Sequence, residues 1–296
     1  MIVKGTITAA MLASLYKSNS LLFNQALESA QVYWPQVASL APSTSKTQDY
    51  AWLGAFPMLR EWIGDRVLQN LLLHGYSITN KDFEGTIEID RNDIMDDNLG
   101  VYRSPIQELG RSAKTHPDYL IFTLLAAGFT TACYDGQYFF DTDHPVGSST
   151  VSNYDSGSGT AWYLMCTGRS IKPLIYQERQ SPQFVSMDSI TDENVFMRKK
   201  YRYGVDYRGN VGYGFWQLAY ASKNDLDAGH YSAARSAMMA FTNDNGMPLG
   251  IVPDLLVVPP SLEANAREIL LTERNQAGAT NTWRDTAKLL VVPWLT

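Results

Sequence analysis

The sequence predicts an α+β chain built to associate with other chains. Three observations carry that expectation: a long amphipathic helix from Ser104 to Phe129, a run of antiparallel-strand sequence over 171–222, and a terminal segment in which two short apolar strands flank a helix. The long helix opens on Ser104 as N-cap, Pro105 at the first helical position and Gln107 three residues after the cap. Ile106, Leu109, Ala113, Leu120, Leu124 and Ala127 recur at helical spacing, and Gly128 offers the stop. Up to Lys114 the other faces are polar. From Tyr119 to Ala127 the helix is apolar almost all round, so its second half is expected to be buried. Pro117 has no N–H for the carbonyl of Ala113, which predicts a kink or a restart there, with Thr115 and Asp118 available as caps.

In chain order, residues 8–34 read as a helix capped by Thr8, and the polar run 42–48 reads as a flexible connection that makes the N-terminal arm separable. From Asp49 the chain becomes extended, with Trp52, Phe56, Leu59 and Trp62 among glycines and a proline. Phe83, Gly85, Ile87 and Ile89 then alternate with Glu84, Thr86, Glu88 and Asp90 as in a strand of period two. An isolated two-stranded ribbon is marginal in water, so this excursion wants a partner surface. Residues 147–160 read as an exposed glycine-rich loop. Asp225 to Thr242 reads as a helix with Ala234, Met238 and Met239 inside. Leu255–Pro260 is a buried strand, Ser261 caps a helix burying Leu262, Ala266, Ile269 and Leu270, and Leu289–Pro293 is a second buried strand.

The 296 residues suffice for a sizeable core. Charged residues make up 18%, below the roughly 25% of ordinary soluble domains, and aromatics reach 12%, which tilts towards surface hidden against other chains. A net charge of -6 argues against a dedicated nucleic-acid binder. Only Cys133 and Cys166 occur, too few for a disulfide framework or a four-cysteine metal site. No apolar run approaches the ~20 residues of a membrane helix, and the N-terminus reads as an amphipathic helix, not a signal peptide.

Candidate chemistry is thin. Asp135, Asp141, Asp143 and His144 could ligate a divalent ion, but their spacing matches no standard motif and the better reading is carboxylates capping turns. Gly209–Gly214 lies between strands with no helix following, which disqualifies it as a dinucleotide fingerprint. No nucleophile elbow or phosphate loop is present, so catalysis has no anchor and no cofactor is expected. Arg198, Lys200 and Arg202 are expected on one strand face, as a contact with DNA or with another subunit.

Tyr50–Arg66, His74–Glu84, Asp96–Tyr102, Cys133–Pro145 and Leu255–Ala266, taken in this order, resemble the major head subunits of Mu-like bacteriophages, a family similar in fold to the Hong Kong 97 type of tailed-phage capsid protein. The resemblance implies an N-terminal arm (1–47), an extended hairpin loop reaching onto a neighbour (48–90), a peripheral domain with a spine helix at 104–128 (91–222) and an axial domain (223–296). The implied function is structural, with no enzyme activity: hexamers and pentamers closing an icosahedral shell around double-stranded DNA, assembled in the host bacterial cytoplasm. Trp52, Phe56, Arg60, Glu61, Trp62, Asp65 and Arg66 would make the intersubunit contacts of the loop. Implied partners are further copies of the chain, a scaffold protein or protease, a portal, a decoration protein and packaged DNA held without sequence preference; no membrane is involved. The rival readings are a cellular nanocompartment shell and a metal-dependent hydrolase using Asp141, Asp143 and His144.

Overall fold

A computed structural model of the chain describes residues 7–53, 75–96, 99–274 and 278–295. Phe56, Arg60, Glu61, Trp62, Asp65 and Arg66 lie outside the described residues. In chain order the elements are α1 (Ala9–Ser29), β1 (Ala38–Pro42), β2 (Thr47–Asp49), β3 (Ser77–Thr79), β4 (Lys81–Asp90), α2 (Arg91–Met95), α3 (Arg103–Ala126), β5 (His144–Val146), β6 (Ser149–Val151), β7 (Tyr154–Asp155), β8 (Trp162–Met165), β9 (Leu174–Met187), α4 (Glu193–Arg198), β10 (Lys200–Tyr213), β11 (Ala219–Ser222), α5 (Ala228–Met239), β12 (Leu255–Val258), α6 (Glu263–Leu271) and β13 (Lys288–Val291). The chain divides into two compact units, Met1–Val32 with Asn80–Pro117 and Glu178–Asn210, and Tyr33–Thr79 with Asp118–Gln177 and Val211–Thr296. Three of the five divisions fall inside α3, β9 and β10.

In the first unit, Thr8 caps α1 by accepting the N–H of Met11 at 3.2 Å. The inner face of α1 buries Leu12 and Phe23, while Ile106, Ala113 and Val205 close the small core around Phe23. α1 meets α3 at Gly110, where a Cβ would lie 2.4 Å from the backbone oxygen of Phe23 and 3.1 Å from the Cβ of Ala26. Replacing glycine by alanine inside a helix ordinarily gains up to about 1 kcal/mol. Here Gly110→Ala is expected to lose about 1–3 kcal/mol instead, because backbone must move to admit the methyl group. A raised melting temperature for that variant would show that the two helices do not approach so closely.

β4 and β10 pair antiparallel from Lys200 opposite Asp90 to Gly209 opposite Lys81. Period-two alternation sends Tyr201, Tyr203, Val205 and Tyr207 to the buried face, opposite Ile89, Ile87, Gly85 and Phe83. Phe83 stacks on Tyr207 with ring centroids 5.0 Å apart, and His116 stands edge-on to Phe83 at 4.6 Å. Burial holds the His116 imidazole below its ordinary range.

The second unit is built on a mixed sheet in the order β13-β12-β8-β11-β7. β12 is parallel to β13 and antiparallel to β8, and β11 is antiparallel to β8 and parallel to β7. Every residue of β8, β11 and β12 is buried, so both faces of the sheet are covered and these strands read as continuous apolar runs in place of alternating ones. β12, α6 and β13 form a βαβ unit, the terminal α/β segment that the apolar runs predict.

Several local expectations are corrected. The helix does not restart at Pro117: α3 runs unbroken through 24 residues, and Thr115 donates its hydroxyl to the carbonyl of Arg111 at 3.1 Å. The helix begins at Arg103, which puts Ser104 inside the first turn. Asp118 caps a distant element instead of its own helix, its Oδ1 accepting the N–H groups of Tyr33 at 3.0 Å and Trp34 at 2.6 Å at the start of a short 3-10 turn. Burial raises its carboxyl above the ordinary carboxylate range. In the second half of α3 the buried stripe is Asp118, Ile121, Phe122 and Leu125, whereas Leu120 and Leu124 are half-buried and Tyr119 is exposed. The stripe changes phase because the two halves of the helix bury their faces in different units.

The polar run expected as a connection is paired instead, with Thr47–Asp49 antiparallel to Ser77–Thr79. The glycine-rich stretch holds the turn and second strand of the β5–β6 hairpin and a fully buried Asn153. α5 is shorter than expected, capped by Asp227, with Met238 buried and Met239 exposed. Ser261 sits in a 3-10 turn ahead of α6 and does not cap it.

Candidate functional site

Trp52, the member of the hairpin set among the described residues, packs its ring 5.8 Å from Phe215 and 6.0 Å from Tyr50, yet stays 39% exposed. Of the three basic residues, Arg198 ends α4, while Lys200 and Arg202 share the solvent face of β10. Lys200 bonds Asp90 at 3.1 Å and Arg202 bonds Glu88 at 2.8 Å; Arg208 and Asp82 continue the ladder. The cross-strand register explains it, since each cation sits opposite an acid on β4.

The acid and histidine loop assembles a different group from the one considered in the sequence. Asp141 accepts the N–H groups of Tyr138 and Thr142, and the Asp143 side chain is exposed. His144 instead meets Asp135 and Cys133, whose ligating atoms lie within 4.8 Å of one another. Its Nδ1 is 2.7 Å from Asp135 Oδ2, with side chains 0% and 5% exposed, and its ring stacks on Trp216 at 4.0 Å and 10°. Cys133 donates its thiol to Asp135 Oδ1 at 3.1 Å.

Asn153 fixes the proton positions. Its amide nitrogen donates to the carbonyls of Phe139, Trp216 and Ala219, so its oxygen is the acceptor facing the N–H of Asp141 and His144 Nε2. His144 Nε2 therefore carries a hydrogen, and the contact at Nδ1 holds another between imidazole and carboxylate. Burial would raise Asp135, but its bonds from His144 and Cys133 outweigh that and hold its carboxyl below the ordinary range. The result is a buried, hydrogen-bonded His144–Asp135 contact. A tetrahedral ion about 2.0–2.1 Å from each ligand would hold nitrogen and oxygen about 3.3 Å apart, so the 2.7 Å separation fits a shared proton better than a shared metal. Burial also pushes the Cys133 thiol well up, with the Asp135 charge adding to it. A thiol kept protonated is a poor nucleophile. The group does structural work: it ties the 133–144 loop to β5, to Asn153 and to Trp216. Sequence reading missed Cys133 and Asn153 because neither lies at motif spacing from His144.

The chain matches the family model "Mu-like prophage major head subunit gpT" over residues 12–295. The chain belongs to that family. It is 46% identical over 281 residues to a Mu-like prophage FluMu major head subunit of Haemophilus influenzae, covering 91% of each chain. It is 41% identical over 303 residues to the major capsid protein of Escherichia phage Mu, covering 98% of this chain and 99% of that one. Among solved structures, the procapsid of bacteriophage JBD30 aligns with a TM-score of 0.87 at 48% identity, covering 98% of this chain and 100% of that one. The JBD30 capsid aligns at 0.81 and 34%, covering 98% and 99%. The fold of this major head subunit is thus the α+β fold of tailed-phage capsid proteins, Hong Kong 97-like. It is a structural protein of the virion capsid and not an enzyme. The hydrolase and nanocompartment readings are not favoured. No helix among the described residues is long and apolar enough to cross a membrane.

Proposed function

We propose that this major head subunit builds its shell as hexamers and pentamers around double-stranded DNA, with the part of residues 48–90 that precedes β4 laid as an extended loop on a neighbouring copy. The observation that carries the reading is the near end-to-end likeness to a subunit of the JBD30 procapsid. The loop assignment rests on sequence: Trp52, Phe56 and Trp62 offer large contact areas, and Arg60, Glu61, Asp65 and Arg66 around Trp62 supply a polar rim that sets register. For Arg198, Lys200 and Arg202 we favour an interface role over DNA contact, because Asp90 and Glu88 already neutralise two of the three. A scaffold protein or protease and a portal are proposed as assembly partners. A decoration protein joins them on the ground that a solved neighbour is a JBD30 capsid decorated with minor capsid protein trimers.

The test is electron microscopy and sedimentation of the purified chain, with scaffold supplied if it is needed. The wild type is expected to give closed shells, and Trp62→Asp or Arg60→Glu with Arg66→Glu to give subunits of near-native circular dichroism and melting that form none. A wild type that stays monomeric at high concentration overturns the shell reading. Variants that unfold place the segment in the subunit's own core, and variants that assemble normally place the contact elsewhere.

A further inference from the structure

The mixed sheet of the second unit ends on an open strand: β13 pairs with β12 alone. The N–H of Lys288 donates to the carbonyl of Asp254 at 2.8 Å, and that of Val292 to the carbonyl of Val258 at 2.9 Å. In the parallel register, Lys288, Leu290 and Val292 therefore turn their backbone groups to β12. Leu289 and Val291 turn N–H and C=O the other way, where no strand pairs with them among the described residues. Two donors and two acceptors thus stand in a row on an apolar strand. A concavity of about 580 Å³ lies against it, lined by Lys288, Leu289 and Val291, by Arg267 and Leu271 of α6, and by Asp285. That volume falls within the roughly 300–1,000 Å³ of ligand sites. Leu271 is 45% exposed there, large for an apolar side chain next to a core. The approach to the strand is pinned, with the N–H of Asp285 bonded to the carbonyl of Leu270 at 3.0 Å and Arg235 to the carbonyl of Thr286 at 3.1 Å. An edge already held in place loses little freedom when a ligand binds.

Charge selects what can enter. Lys288 is exposed and has no ion-pair partner among the described residues. The acids nearby are engaged elsewhere. Asp254 accepts the N–H of Thr167 at 2.6 Å and its hydroxyl at 3.1 Å, Asp285 lies 3.4 Å from Arg284, and Glu263 holds Arg267 at 2.7 Å. The uncompensated charge at the concavity is therefore positive. A lysine on an edge strand ordinarily guards against unwanted pairing, but Lys288 guards only the first of four positions, and Leu289, Leu290 and Val291 follow it with no charge. We propose that the open edge of β13 takes an extended, acidic segment of another protein as an added strand, with an acid beside Lys288 and apolar side chains against Leu271, Leu289 and Val291. This site goes beyond the shell reading above and stands or falls separately from it.

Fluorescence anisotropy of the dilute, unassembled full chain tests it, the probe being a labelled hexapeptide that alternates valine and glutamate. That peptide is expected to bind at least tenfold more tightly than one with lysine in place of glutamate, and Lys288→Glu to reverse the preference. A glutamate peptide with N-methylated backbone should not bind. Leu289→Pro, which removes an outward N–H and no bond to β12, should weaken binding at least tenfold with unchanged circular dichroism. If that variant fails to fold, the N-methylated peptide carries the backbone test. No binding of the acidic peptide, equal binding of its N-methylated copy, or an unchanged preference in Lys288→Glu overturns the site. Binding that is present in the subunit but lost in closed shells also overturns it, because a neighbouring copy then covers the edge.

Discussion

His144→Ala is expected to destabilise the subunit by about 3–5 kcal/mol, the usual cost of leaving a buried carboxylate without its partner. The variant leaves the Asp135 carboxylate, 5% exposed, without the proton donor at 2.7 Å, and takes the stacked ring away from Trp216. His144→Leu with Asp135→Leu should cost less than the sum of the two single leucine changes, because no uncompensated charge remains inside. Urea denaturation of the unassembled subunit measures all of these. Additive losses would mean that the pair contributes only as packed volume. Acid should reproduce the effect in wild type. The Asp135 carboxyl is depressed in the fold, so its contribution is fully present above the unfolded carboxylate value of about 3.9 and is lost as the pH falls through the lower folded value. Asp118, raised by burial, works in the opposite direction and gains stability over the approach to that window. Asp118→Asn should therefore steepen the acid loss, leaving the Asp135 contribution unopposed.

Phe122→Ala is expected to cost about 3–5 kcal/mol, since the side chain is fully buried in the main core of the second unit and truncation leaves a cavity there. Leu120→Ala and Leu124→Ala fall on half-buried positions and should cost about 1–2 kcal/mol. Arg111→Ala, which removes an exposed pair with Glu108, should leave the melting temperature close to that of wild type. Equal losses for Phe122 and Leu124 would show that the apolar stripe drawn from sequence spacing is the true one and that the buried face of α3 has been misplaced.

The contrast between these residues separates what local pattern encodes from what it does not. Signals that act within a few residues were legible: Thr8 capping α1, the alternation along β4, and the apolar runs that became β12 and β13. So was the family, because its motifs recur in order along nearly the whole chain. The sequence pattern started this helix at Asp225, whereas in the structure it is Asp227 that accepts the N–H of His230 and caps it. For the 54–74 part of the proposed loop, the argument remains one of sequence.

The amino-acid sequence by itself determined that this chain mixes a long helix, antiparallel strands and a terminal α/β unit, because helix and strand periods, caps and turns depend on neighbours in the chain. Tertiary structure decided the rest. The joining of Asp135 and Cys133 to His144 under the control of Asn153, the capping of Trp34 by an aspartate 84 residues away, and the pairing of Lys200 and Arg202 with acids on β4 all depend on which segments meet in space. Such partners carry no periodicity. A buried polar atom takes whatever donor or acceptor the packing brings within about 3 Å, and only the folded chain specifies which one that is.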